Sequence, residues 1–150
     1  MDSNGKAEDH FGQGLAALAI GDHEAALERF RSAHRLSPGS PRVRSYYGLC
    51  LGLAERRFEE ALALCRSAAK EEFFNPVLYH NLARVHLAFG FKAEGIRYLR
   101  RGLMIDPDDE VIQQSLVALG LRKEPVVRFL RRRHPLNRWF GRFYSRRQAA

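Results

Sequence analysis

An internal repeat constrains this chain more than any other feature of its sequence. Six positions recur after 69 residues: Gly14, Gly21, Ala26, Phe30, Ala33 and Pro38 return as Ala83, Gly90, Gly95, Leu99, Gly102 and Pro107. A middle copy lies between them, since Gly48 follows Gly14 by 34 residues, and Ala61, Cys65 and Ala68 follow Ala26, Phe30 and Ala33 by 35. One inserted residue between Ala54 and Phe58 explains both offsets. The sequence therefore predicts three copies of a unit of 34 residues.

Each copy has the pattern of two helices joined by a short turn. In the third copy, apolar residues at helical spacing, such as Leu78, Leu82 and Val85, predict a first helix with a buried stripe. Gly21 and Gly90 follow two of the first helices, and glycine readily takes the left-handed conformation that ends a helix. Second helices are predicted at about 22–36, 58–72 and 92–105.

Capping residues mark the helix starts. Ser40-Pro41 and Asn75-Pro76 each place an N-cap side chain before a proline, which favours a helix beginning at the proline. Acidic residues from Asp106 to Glu110 mark the start of a further helix at about 109–121. Their negative charges interact favourably with the positive end of the helix dipole.

Small residues at matching places indicate close helix packing. The first helices carry Gly14, Gly48 and Ala83, and the second helices carry Ala26, Ala61 and Gly95, so two antiparallel helices are able to approach closely. With the period and the turn residues, this pattern resembles the tetratricopeptide repeat. The resemblance implies an all-α fold, a right-handed solenoid of antiparallel helix hairpins. It covers residues 7 to about 107 as three repeats, at about 7–40, 41–75 and 76–109, followed by a solvating helix at about 109–121.

Phe73, Gly95 and Gly102 depart from the family pattern, and these departures lead to further predictions. Phe73 stands where the family has proline, so the second helix of the middle copy is expected to run on until Asn75-Pro76. Gly95 and Gly102 replace alanine within the last repeat's second helix, each at a cost of about 1 kcal/mol of helix propensity. That helix is expected to be the weakest.

Composition and cysteine usage favour a cytoplasmic protein. No run of about 18 or more apolar residues exists to span a bilayer, and the first residues lack the pattern of a signal peptide. Residues 1–6 are expected to be a flexible N-terminus. Cys50 and Cys65 are too few to staple a secreted scaffold, which indicates two reduced and buried thiols.

No pattern in the repeats nominates a reaction. The letters of a dinucleotide fingerprint begin at Gly12 without a preceding strand, and His23-Glu24 lacks the second histidine of a zinc protease. The six histidines include no pair four residues apart, and no CxxC accompanies them. We therefore expect no enzyme, no catalytic residue, no cofactor, no metal site and no small-molecule substrate.

The resemblance implies a binding groove lined by first-helix side chains. By position these are Phe11, Leu15, Leu18, Arg42, Tyr46, Leu49, His80, Asn81 and Arg84. Arg42, Asn81 and Arg84 are candidates to grip a carboxylate or backbone of a partner, or else they form an ordinary solvated helix surface. The family's clamp for chaperone C-termini needs other residues where Phe11, Leu15 and Tyr46 stand, so chaperone-tail binding is not expected.

The charge of the chain is concentrated in its last thirty residues. Of the net charge of +8, residues 1–120 contribute −1 and residues 121–150 contribute +9. This tail combines arginines with aromatic residues at helical spacing: Arg131, Arg132, Arg133, Arg138, Trp139, Phe140, Arg142 and Phe143. Its aromatic residues would cap the last repeat, or it would bind an anionic membrane, a nucleic acid or an acidic protein.

The sequence thus predicts a non-enzymatic adapter that binds a peptide or helix of a partner protein in its groove. The alternative is a peripheral membrane or RNA-associated protein that acts through the arginine-rich tail.

Overall fold

The computed structural model describes residues 3–121. These residues form helices and turns without a strand, which confirms the all-α prediction. In chain order the helices are α1 Ser3–Ala19, α2 His23–Leu36, α3 Pro41–Glu55, α4 Phe58–Glu71, α5 Pro76–Ala88, α6 Lys92–Ile105 and α7 Glu110–Ala118. The three predicted second helices are α2, α4 and α6. No helix of this described stretch is both long enough and apolar enough to cross a membrane.

The chain divides into two units, Met1–Ser115 and Leu116–Ala150. Of the second unit the structure describes residues 116–121, in which Gly120 has a φ of 82° and the N–H of Leu121 donates to the carbonyl of Leu116 at 3.0 Å. The tail residues singled out in the sequence, from Arg131 to Phe143, lie outside the described residues. The boundaries assigned to the repeats and the tail stay predictions.

Helix ends follow the capping residues predicted from the sequence. Gly21 and Gly90 adopt φ values of 80° and 83° directly after α1 and α5. The Ser40 hydroxyl accepts from the N–H of Val43 at 3.3 Å, and the Asn75 side chain accepts from the N–H of Val77 at 3.2 Å. Because these caps satisfy backbone groups that a helix leaves unpaired, α3 and α5 both begin at a proline.

Close approach of paired helices is confirmed at the small residues. A Cβ atom on Gly14 would lie 2.7 Å from the ring of Phe30, and one on Gly48 would lie 2.8 Å from Cβ of Leu64. Each first helix thus packs against the second helix of its own repeat, and α3 packs also against α5. The core between these helices is apolar and is built from buried side chains such as Leu49, Leu78 and Leu82.

Close packing also explains why glycine stands at positions 95 and 102 in α6. A Cβ atom on Gly95 would lie 2.6 Å from Cγ of Leu87, and one on Gly102 would lie 2.5 Å from Cδ1 of Ile112. Both positions are buried. The lost helix propensity is therefore exchanged for closer contact with α5 and α7; the relative weakness of α6 stays a prediction.

The predicted extension of the middle copy's second helix is wrong. α4 ends at Glu71, and residues 72–75 form a turn. The Asn75 side chain donates to the Glu72 carboxylate at 3.0 Å, and the Tyr79 hydroxyl donates to the carbonyl of Phe73 at 3.0 Å. These bonds, with the role of Asn75 as N-cap of α5, require the chain to leave the helix before Phe73.

Two other helix ends differ from expectation. α1 begins at Ser3, so residues 3–6 belong to a helix and not to a flexible N-terminus. Ser3 and Asn4 are residue types that favour helix starts, and they add a first turn. α7 ends at Ala118, three residues before the expected end, because Gly120 takes the left-handed conformation.

The inserted residue lengthens the C-terminal end of α3, because three residues separate α1 from α2 and α5 from α6, but only Arg56 and Arg57 separate α3 from α4. Arg56 there adopts a φ of 58°, the left-handed conformation that glycine supplies in the other two repeats. Its guanidinium donates to the carbonyl of Ala88 at 3.1 Å and lies 4.1 Å from the ring centroid of Phe89. Arg56 therefore connects the second repeat to the C-terminal end of α5.

Two glycine variants test the packing role of the small residues. Gly48→Ala should lower the free energy of unfolding by about 1–3 kcal/mol, because the new methyl group meets Cβ of Leu64 and the Ala61 carbonyl at 3.0 Å. Gly12→Ala is the matched control, since Gly12 lies exposed in α1 with no atom within 4 Å of an added Cβ. It should raise the free energy of unfolding by up to about 1 kcal/mol. Urea denaturation measures both, and a Gly48→Ala protein as stable as wild type would contradict the close approach.

Candidate functional site

The first helices of the three repeats contact one another in order, α1 with α3 through the rings of Phe11 and Tyr46 and α3 with α5, and their accessible side chains form one candidate surface. We call this surface the first-helix face and define it by the side chains that remain accessible on it: Leu15, Leu18, Arg42, Tyr46, His80 and Arg84. Of these, Arg42 is exposed and the other five are half-buried. The three remaining predicted groove residues, Phe11, Leu49 and Asn81, are at most 1% exposed. They support the face from beneath and are not available to a partner in this conformation.

An aromatic cluster joins α1 to α3. The ring of Phe11 meets the rings of Phe30 and Tyr46 edge to face, with centroids 5.4 and 5.3 Å away, and Tyr46 stacks on Phe30 at 5.3 Å. Arg42 lies 4.1 Å above the ring of Phe11, and its guanidinium is 3.9 Å from the carboxylate of Glu8. Arg42 is thus held by a cation–π contact and a weak ion pair at the edge of the face.

A buried polar pair joins α3 to α5. The Asn81 side chain donates to the Ser45 hydroxyl at 3.1 Å, and both residues are fully buried. The carbonyl of Ser45 accepts from the Cys65 thiol at 3.2 Å. Oδ1 of Asn81 is buried and has no hydrogen-bond partner among the described residues. Because buried polar groups bond in fixed directions, this pair sets the register of the two first helices.

Ser45 supports the first-helix face from beneath, and the sequence reasoning missed it. It lies in α3 between Arg42 and Tyr46, both of which the family positions nominate. A serine within an otherwise apolar helical stripe was the available signal, since a hydroxyl placed in a core needs a partner.

Arg84 lies beside Tyr46 and Cys50 on the α5 side of the face. Its guanidinium is half-buried, and this burial lowers its pKa, against the opposing effects of Cys50 and Tyr46. Burial raises the pKa of Tyr46, and the charges of Arg84 and Arg42 counteract that rise. Tyr46 therefore lies within the electrostatic reach of both arginines.

His80 connects the face to α7. Its Nε2 lies 3.1 Å from the Ser115 hydroxyl, which itself donates to the carbonyl of Val111 at 2.8 Å. With the Ser115 hydroxyl donating to Val111, the neutral His80 tautomer protonated at Nε2 completes this contact as the donor. Burial, reinforced by the charge of Arg84, lowers the pKa of His80 to about 4, so the ring is neutral at physiological pH.

The two thiols are buried, as the sequence predicted. Cys50 and Cys65 are both free, and burial raises the pKa of each to about 12. Since the thiolate is the reactive form of cysteine, neither is an activated nucleophile. Within residues 3–121, no group of three or more histidine, cysteine, aspartate or glutamate side chains is arranged to hold a metal ion.

Comparisons with known proteins agree on one repeat family. A family model described as tetratricopeptide repeat matches residues 52–119. The TPR repeat-containing protein YpiA of Bacillus subtilis (strain 168) is 27% identical over 129 residues, which cover 83% of this chain. The match spans only 29% of that longer relative.

Solved structures share the fold at low sequence identity. The first TPR of Spaghetti (RPAP3), bound to the HSP90 peptide SRMEEVD, has a TM-score of 0.61 at 17% identity, covering 80% of this chain and 96% of its own. YrrB, a TPR protein with an unusual peptide-binding site, has a TM-score of 0.60 at 18% identity, covering 77% of this chain and 58% of its own.

The His80 contact predicts a specific pH dependence of stability. The folded state keeps His80 neutral down to a pKa of about 4, whereas the unfolded chain takes up the proton near the ordinary value of about 6.5. The contribution of this residue to stability is therefore complete above about pH 6.5 and falls as the pH drops toward 4. His80→Gln keeps a donor for Ser115 but does not titrate.

The measurement is the melting temperature between pH 7.5 and pH 5. We expect the melting temperature of wild type to fall further over this interval than that of His80→Gln. All other histidines are common to both proteins. Equal losses in the two proteins would contradict the burial of a neutral His80.

Proposed function

We propose that this chain, which matches a tetratricopeptide-repeat family model over residues 52–119, is a non-enzymatic adapter whose first-helix face binds a peptide or helix of a partner protein. The first-helix face consists of half-buried apolar groups bordered by arginines. Such a surface suits binding by side-chain packing and does not require a catalytic group. The two solved structures named above are described as peptide-bound or peptide-binding, which supports the same mode of action.

One observation carries this proposal. Leu15, Leu18 and Tyr46 pack against the same buried cluster while part of each side chain stays accessible. Apolar groups in this state are already ordered by the core beneath them, so a partner's apolar side chain covers them at little cost in conformational entropy. Such pre-ordered apolar and aromatic positions are typical anchors of a protein interface.

The HSP90 peptide of the first comparison is not part of the proposal. The residues that the family uses to clamp chaperone C-termini are replaced here by Phe11, Leu15 and Tyr46. Phe11 is buried beneath Arg42, so the place of a clamp side chain is filled by a core aromatic.

The remaining predictions about function are part of the same proposal. The high pKa of both thiols argues against a cysteine nucleophile, and the two free cysteines agree with a cytoplasmic location. The role of the arginine-rich tail stays a prediction from composition.

Truncation of the apolar anchors tests the proposal. The full chain is immobilised, its partner is captured from lysate, identified by mass spectrometry and purified, and the dissociation constant is measured by calorimetry. The variant Leu15→Ala with Leu18→Ala should bind at least about tenfold more weakly, since buried interface anchors contribute more than 1 kcal/mol each.

Ile20→Ala with Met104→Ala is the matched control. These side chains are 81% and 84% exposed and lie outside the first-helix face, so their removal should leave affinity unchanged. Melting curves of both variants separate binding from folding. Weaker binding in the control alone, or in neither variant, would place the partner elsewhere.

A further inference from the structure

Among residues 3–121, Arg84 has no acidic partner, whereas Arg31, Arg42, Arg44 and Arg57 each have one. Arg31 pairs with Glu28 and, at 2.7 Å, with Glu55, and Arg44 pairs with Glu71. Arg57 pairs with Glu55 at 3.4 Å and with Glu60, and even the exposed Arg42 has Glu8 at 3.9 Å. Arg84 makes no ion pair and no hydrogen bond with any residue between 3 and 121, although it is half-buried.

An uncompensated guanidinium at this depth is costly. Partial burial removes water from the charge, and this loss is the main reason that the pKa of Arg84 is lowered. The neighbours that oppose the effect, Cys50 and Tyr46, are neutral at physiological pH because burial raises the pKa of each. A bound anion would supply the charge that the protein itself does not.

The helices that carry Arg84 and Tyr46 are fixed against each other. Asn81 lies one helical turn earlier in α5, and its hydrogen bond to Ser45 fixes α5 against α3. Tyr46, on α3, lies close enough for the two side chains to interact electrostatically, and it packs in turn on Phe30. A cation on such a rigid support loses little freedom when it binds.

The apolar anchors lie on the neighbouring part of the same face. Tyr46 interacts electrostatically with Arg84 and packs against the same buried cluster as Leu15 and Leu18. A ligand bound to Arg84 is therefore able to contact these apolar side chains as well.

We propose that Arg84 binds a carboxylate of the partner segment while Leu15, Leu18 and Tyr46 bind an apolar side chain beside it, so that the partner is an acidic amphipathic peptide or helix. This inference rests on the proposed function and names its ligand chemistry. A planar guanidinium matches a carboxylate with two parallel hydrogen bonds. A single arginine fits the single charge of a carboxylate, whereas the double charge of a phosphate is typically bound by an arginine cluster.

Selection from a displayed library of random 12-residue peptides on the immobilised full chain tests the inference. We expect wild type to enrich sequences with Asp or Glu near an apolar residue. Arg84→Gln should lose the acidic preference and keep the apolar one, while Arg29→Gln, an exposed position on α2, should behave as wild type. Enrichment of apolar sequences without acidic residues in wild type would overturn the inference and leave the proposed function intact. No enrichment at all would overturn both.

Synthetic versions of a selected peptide identify the source of the carboxylate. Replacing its acidic residue with the neutral amide should weaken binding to wild type by roughly ten- to a hundredfold, as measured by fluorescence anisotropy, and leave binding to Arg84→Gln unchanged. If amidation of the peptide C-terminus has this effect instead, the bound group is the terminal carboxylate. Arg84→Lys, which keeps the charge but loses the paired donors, should bind with intermediate affinity. If the neutral amide weakens peptide binding to wild type and to Arg84→Gln equally, the carboxylate is bound elsewhere, and the inference is overturned.

Discussion

The close contact between paired helices is the constraint on which the rest of this structure depends. At Gly14 and Gly48 the facing side chains occupy the space that a methyl group would need. This contact fixes how far each first helix lies from its second helix and therefore which first-helix residues stay accessible. Gly95 and Gly102 extend the same device to the third repeat, where close packing is obtained in exchange for helix propensity.

Polar interactions then set what the first-helix face presents. Asn81 and Ser45 pair in a fully buried position and hold α5 in register with α3. That register places Arg84 beside Tyr46 and away from the glutamates that neutralise Arg31 and Arg44. His80, neutral and bonded to Ser115, ties the same helix to α7. The face is consequently rigid, and one of its cations has no counter-ion in the described part of the chain.

Much of the fold could be predicted from the sequence because its signals are local. Caps such as Ser40 and Asn75, and glycines such as Gly21 and Gly90, act on the helices that they adjoin. The end of α4 could not be predicted in this way, since it depends on hydrogen bonds that Tyr79 and Asn75 make across a turn.

The candidate site was less predictable because exposure is a tertiary property. Family positions nominated Phe11, Leu49 and Asn81 together with Arg84, yet neighbouring helices and side chains cover the first three completely and leave the fourth half open. Arg42 and Arg84 look equivalent in the sequence. Only the structure shows that Glu8 and Phe11 engage Arg42, whereas no acidic side chain between residues 3 and 121 pairs with Arg84.

The central claim, that Arg84 is an ordered cation open to a carboxylate, is tested most directly by NMR of the arginine side chains. Nε–H resonances of the full chain are followed while sodium acetate replaces sodium chloride at constant ionic strength. The account predicts a saturable shift of the Arg84 resonance that exceeds those of Arg42 and Arg31, whose carboxylate partners are already in place. A shift of Arg84 that stays linear and equals that of the paired arginines would contradict it.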